Sequence, residues 1–106
     1  GKVIKAEAEK NLNLLKSLID TDDGSRYIGE FGIGTNFGIK RYVKNLLFDE
    51  KIGGTIHLAL GKAYKEAGGK NESALHYDIV KDLRDTGGII VDQKTVQKNG
   101  KWVFEN

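Results

Sequence analysis

The chain has two histidines, and each stands near carboxylates. His57 follows the pair Asp49 and Glu50 across a Gly53-Gly54 break, and His76 precedes Asp78 by two residues. A further acid, Glu30, is the one charge in an otherwise apolar and glycine-containing run from Tyr27 to Ile33. A charge in that setting is either on the solvent side of an edge strand or a buried carboxylate, which must be paired or metal-bound to be tolerated. Imidazole nitrogens and carboxylate oxygens are the ligand chemistry of hydrolytic metal sites, including two-metal sites. The chain has no cysteine, so a thiolate site is excluded, and His, Asp and Glu together suit zinc, cobalt, manganese or magnesium. The candidates are therefore Glu30, Asp49, Glu50, His57, His76 and Asp78. Their spacing does not by itself separate a metal site from ordinary structural use of the same residues.

Other chemistries are excluded by pattern. There is no His-Glu-x-x-His pair and no Gly-x-Ser-x-Gly elbow. Gly32-x-Gly34 suggests a dinucleotide loop, but Phe37 stands where the third glycine is required. Gly61-Lys62 lacks both the earlier glycine and the following hydroxyl of a phosphate loop.

The elements that must carry these side chains follow from periodicity. A short strand-like start covers Lys2 to Glu7. Leu12, Leu14, Leu15, Leu18 and Ile19 form an apolar stripe that predicts a helix from Ala8 to Asp20, with Gly24 as a left-handed end. Tyr27 to Ile33 reads as a strand, and Gly34 to Gly38 as a turn. Ile39 to Leu47 reads as a short helix ending near Phe48, Asp49 and Glu50. In the strand Thr55 to Leu60, alternation puts Thr55, His57 and Ala59 on one face, opposite the most apolar residues. Ala63 to Asn71 is a loop with Tyr64 at its start. Ser73 to Leu83 fits a helix or a strand. The difference matters, because His76 and Asp78 point the same way in a strand but diverge by roughly 200° in a helix. Ile89 to Asp92 is a short strand. Asn99-Gly100 predicts a two-residue type I′ hairpin between Thr95–Lys98 and Lys101–Phe104, with Trp102 covering the core.

Composition sets the outer bounds. The 106 residues, 39% hydrophobic and 30% charged, predict one globular domain able to bury a core without disulfides. A formal charge of +2 from well-mixed basic and acidic residues argues against nucleic acid or an anionic membrane as the main partner. No apolar run approaches a membrane span, no signal peptide is evident, and zero cysteine fits a reducing, cytoplasmic compartment. The chain has no methionine and begins with glycine, which suggests a piece of a longer protein.

Three stretches resemble a known family. Gly29 to Asn36, Leu47 to Gly61 and Gly68 to Asp78 are similar, in the same order, to the carboxy-terminal part of the thermophilic metallo-aminopeptidase family typified by aminopeptidase T. The closing stretch from Ile89 through Asp92 to Trp102 is similar too. The resemblance implies a two-metal exopeptidase, dimeric in its full-length form, that uses zinc or cobalt to remove amino-terminal residues from peptides. It implies metal ligation by Glu30, His57, His76 and Asp78, with Glu50 as a ligand or the acid/base group and Asp49 as a turn residue or supporting partner. Tyr64 would support the tetrahedral intermediate. The family has another metal-binding glutamate further upstream, and neither Glu7 nor Glu9 sits in a matching motif. The expectation is an α+β domain with a mixed, largely antiparallel sheet, two or three helices and a carboxy-terminal β-hairpin. The alternative function is a non-catalytic metal-binding or assembly domain of the same fold.

Overall fold

A computed structural model describes residues 1–104. The elements are α1 (Leu12–Ile19), β1 (Ile28–Ile33), α2 (Leu46–Asp49), β2 (Thr55–Gly61), a 3-10 turn (Lys65–Ala67), β3 (His76–Asp82), β4 (Gly88–Val91), β5 (Lys94–Lys98) and β6 (Lys101–Trp102). The class is α+β. In place of one mixed sheet there are two three-stranded sheets, in the orders β1-β2-β3 and β4-β5-β6. Hydrogen bonds at their ends make the first antiparallel: Gly61 N–H donates to Tyr27 O at 2.7 Å, and Lys62 N–H to Leu75 O at 2.7 Å. The chain divides into two units: Gly1–Phe31 with Leu58–Ile79, and Gly32–His57 with the residues from Val80 onward.

In the first unit, α1 is shorter than the leucine stripe predicts. Asn11 takes a left-handed φ of 58°, so the helix begins after it rather than at Ala8. Ile19 is buried and Leu14 exposed. Gly24 is not the left-handed cap; its role is close approach. A Cβ there would lie 1.8 Å from the backbone oxygen of Glu72, so no side chain fits. The strand-like start reduces to one antiparallel bridge between Lys2 and Tyr27. Ile19, Ala59, Leu60 and Ala63 supply this unit's buried apolar residues. The ambiguous stretch after Ser73 resolves as β3, and within this unit His76 and Asp78 are more enclosed than Tyr77 and Ile79.

In the second unit, the helix expected over Ile39–Leu47 does not form. Lys44 takes a φ of 60°, and only the single turn α2 follows, capped by Asn45 Oδ1 accepting from Leu47 N–H at 3.1 Å. The stretch before it is held by side chains instead. Asp49 Oδ1 accepts from Val43 N–H at 2.9 Å, and Arg84 Nη1 donates to Lys40 O at 2.8 Å. Arg84 also grips Asp82 with two nitrogens, Nε to Oδ1 at 2.9 Å and Nη2 to Oδ2 at 2.8 Å. The fork geometry of the guanidinium suits that two-point contact.

Those bonds hold the Asp82 carboxyl below the usual carboxylate range. A lowered folded pKa means the stabilisation is present above the unfolded value of 3.8 and lost as pH falls through the folded one. Asp82→Asn should therefore unfold at a lower temperature than wild type at pH 7. The gap should close as pH falls through the lowered folded pKa, below which the Asp82 carboxyl is neutral in both the folded and the unfolded chain. Thermal scans across that range test this; a gap that is unchanged at low pH contradicts it.

The second sheet is built from two tight hairpins. Asn99 and Gly100 have φ of 48° and 74°, the two positive values a type I′ turn requires. The β4–β5 turn uses Asp92 and Gln93, at 48° and 67°, although Gln93 is an uncommon residue for that conformation. Trp102 is half-buried and stacks on Phe104, with ring centroids 5.4 Å apart.

Candidate metal centre

β3 decides the geometry of the first cluster. As a strand it turns His76 and Asp78 to one side, and His76 Nε2 lies 3.4 Å from Asp78 Oδ2. Glu30, from β1, brings Oε2 to 3.3 Å from the same nitrogen. Ligand atoms of the three residues all lie within 4.8 Å of one another. The other ring nitrogen fixes the imidazole: His76 Nδ1 is 2.8 Å from Lys62 O. A carbonyl only accepts, so Nδ1 carries the proton and Nε2 faces the carboxylates. That arrangement, one nitrogen bonded to a backbone carbonyl and the other turned toward acids, is how ligating histidines are oriented. Tyr64 flanks the ring, its centroid 5.4 Å away and the planes at 53°. It is half exposed, beside an open hollow of about 290 Å³ lined by Lys62, Ala63, Lys65, Glu66 and Glu72.

The second unit holds a second pair. Glu50 and His57 bring ligand atoms within 4.8 Å of one another. Glu50 follows α2 directly, and its Oε1 lies 3.1 Å from Lys51 Nζ. His57 is 8% exposed, while Ile56 and Leu58 beside it are only half-buried. Alternation holds from Thr55 to Ala59, with the small, polar face the more enclosed, and ends at Leu60, which is buried too. Gly32 packs directly on the ring: a Cβ there would lie 2.1 Å from His57 Cε1 and Nε2. The adjacent acids separate as well. Asp49 is buried and committed to the Val43 amide, which leaves Glu50 as the acid beside the histidine.

The candidate residues thus fall into two groups, Glu30, Tyr64, His76 and Asp78 in one unit and Glu50 and His57 in the other. The spacing arguments missed two supports. Lys62 belongs to a failed phosphate-loop pattern, and its contribution is a backbone carbonyl that no side-chain pattern encodes. Gly32 lies in the failed dinucleotide pattern and in the Gly29–Asn36 stretch, neither of which points to His57; a glycine on a strand can signal close approach of another group.

The family model of thermophilic metalloproteases (M29) matches residues 1–102. The chain belongs to that family. It is 34% identical to aminopeptidase AmpS of Bacillus subtilis, over 98% of this chain and 30% of the relative. It is 32% identical to aminopeptidase 2 of Geobacillus stearothermophilus, over 99% of this chain and 30% of the relative. It is 31% identical to aminopeptidase T of Thermus aquaticus, over 98% of this chain and 30% of the relative. The M29 chain described here therefore spans about 30% of the length of the curated relatives it matches. No solved structure matches it. A metalloprotease family implies use of a divalent metal, and the donors present fit one. Glu30, His76 and Asp78 offer two carboxylates and an oriented imidazole, partly shielded from water. Among the described residues no helix is long and apolar enough to cross a membrane.

Proposed function

We propose that this M29 chain is the ligand-bearing part of a two-metal aminopeptidase that hydrolyses amino-terminal peptide bonds and works as a homodimer. The observation that carries the reading is the His76 ring, held through Nδ1 by Lys62 O with Nε2 against two carboxylates at 3.3 and 3.4 Å. In this reading Glu30, His76 and Asp78 hold one zinc or cobalt ion, and Glu50 and His57 contribute ligands for a second. When bound, such ions lower the pKa of a water and polarise the scissile carbonyl. Glu50, within reach of His57, serves in this reading as a ligand or, in its place, as the acid/base group that takes the proton of the attacking water and returns it to the leaving amine. Tyr64 donates its hydroxyl to the carbonyl oxygen as negative charge develops there, and its half-exposed position beside a hollow leaves it open to a peptide. The Lys62 carbonyl keeps the His76 ring from rotating out of register with Glu30 and Asp78.

The test is hydrolysis of amino-acid arylamides by the full-length protein. Chelator should abolish it, and zinc or cobalt should restore it. A chelator that lowers the melting temperature when no hydrolysis was measurable beforehand would favour the non-catalytic metal-binding alternative.

A further inference from the structure

Asp22 lies beyond the end of α1, far from His76 and Asp78 in sequence, yet its carboxylate is bound to the segment that leads into β3. Oδ2 accepts from the Ala74 amide at 2.7 Å, while Oδ1 accepts from the Ser73 hydroxyl at 2.7 Å and the Gly24 amide at 3.1 Å. The connection continues to the ring. Ser73 Oγ accepts from Leu75 N–H at 3.0 Å, Leu75 O accepts from Lys62 N–H at 2.7 Å, and Lys62 O accepts from His76 Nδ1 at 2.8 Å. Asn71 reinforces the same junction by donating to Gly24 O at 2.9 Å and Gly61 O at 2.7 Å.

We propose that Asp22 is a positioning residue that sets the register of β3 and thereby the orientation of the His76 imidazole. The inference rests on reading His76 as a metal ligand. Its physical basis is the stretch from Gly68 to Leu75, which has no helix or strand of its own to fix where β3 begins. A slip of one residue in a strand turns every side chain to the opposite face, so His76 and Asp78 would both leave Glu30. Hydrogen bonds to a charged acceptor are roughly twice as strong as neutral ones, and three of them converge on this carboxylate. The same bonds, the Ala74 amide first and the Ser73 hydroxyl next, hold its carboxyl below the usual range, so Asp22 is anionic at neutral pH.

The experiment compares Asp22→Ala with Asp20→Ala, which removes the neighbouring ion pair to Arg26 (2.6 Å) but no bond to the segment before β3. Long-range ¹H–¹⁵N spectra of the metal-free chain report the His76 tautomer, and titration with Co²⁺ reports affinity. Asp22→Ala should move the two His76 nitrogens toward averaged shifts and weaken cobalt binding about tenfold, as loss of a supporting partner does. Asp20→Ala should change neither, and Asp22→Asn, which keeps one acceptor oxygen, should recover part of both. Should Asp22→Ala fail to fold, Ser73→Ala must show a smaller change in the same direction. Wild-type shifts and affinity in Asp22→Ala or in that substitute, or an equal loss in Asp20→Ala, overturn the proposal. A wild-type chain that binds no cobalt overturns the metal reading instead, and the tautomer of Asp22→Ala then still decides whether Asp22 orients the ring.

Discussion

His76→Ala should leave the fold in place and remove both metal and activity. The side chain is only about three-quarters enclosed, at 26% relative exposure, so its loss opens no deep cavity. Its electrostatic role is much larger. Nε2 is the atom on which Glu30 and Asp78 converge, and without it the two carboxylates lose the imidazole they share. Loss of a residue that merely supports a ligand costs about 10- to 100-fold in metal affinity, so loss of the ligand should cost at least about 100-fold. The measurement is metal content after desalting, alongside arylamide hydrolysis by the full-length protein, with circular dichroism as the check on folding. Retained hydrolysis in a folded His76→Ala variant would sink both the site and the enzyme reading.

Gly32→Ala should destabilise the second unit and displace the His57 ring. The added Cβ would lie 2.1 Å from two atoms of the His57 ring, well inside contact distance. The ring is 8% exposed and has little room to retreat, so either the imidazole rotates or the strands carrying Gly32 and His57 separate. Overpacking of this kind costs about 1–3 kcal/mol. For a domain of this size each kcal/mol lowers the unfolding midpoint by about 4–8 °C. Thermal unfolding should show a fall of that order, and the His57 ring signals should move. An unchanged midpoint and unchanged ring signals would mean that the close packing of Gly32 on His57 is wrong. The outcome also bears on function, since a displaced His57 would no longer stand beside Glu50.

Legibility varied with the range of the interactions. The Asn99-Gly100 turn was readable because two adjacent residues satisfy two positive φ values by their own chemistry. The neighbouring Asp92-Gln93 turn has the same geometry but gave no such signal, because strand pairing imposes it on a residue that does not favour it. The Ile39–Leu47 helix failed for a related reason. Its apolar spacing permits a helix, but the Arg84 and Asp49 side chains take the backbone groups a helix would have used. Spacing does not separate the adjacent acids Asp49 and Glu50; the resemblance distinguishes them, and the Val43 amide bound to Asp49 supplies the physical reason.

What the sequence determined by itself was the supply of donors: two histidines, acids placed near them and no thiol, together with motifs specific enough to imply the family. These follow from residue type and local order, which need no fold to be read. Tertiary structure decided whether the donors could act together. The stretch after Ser73 satisfied helix and strand periodicity alike, and local propensity could not choose between them. Strand pairing chose, because Leu75 and Lys62 bond across it and Asp22 anchors its approach from some fifty residues away. Only then does His76 face the same way as Asp78, with Glu30 within reach.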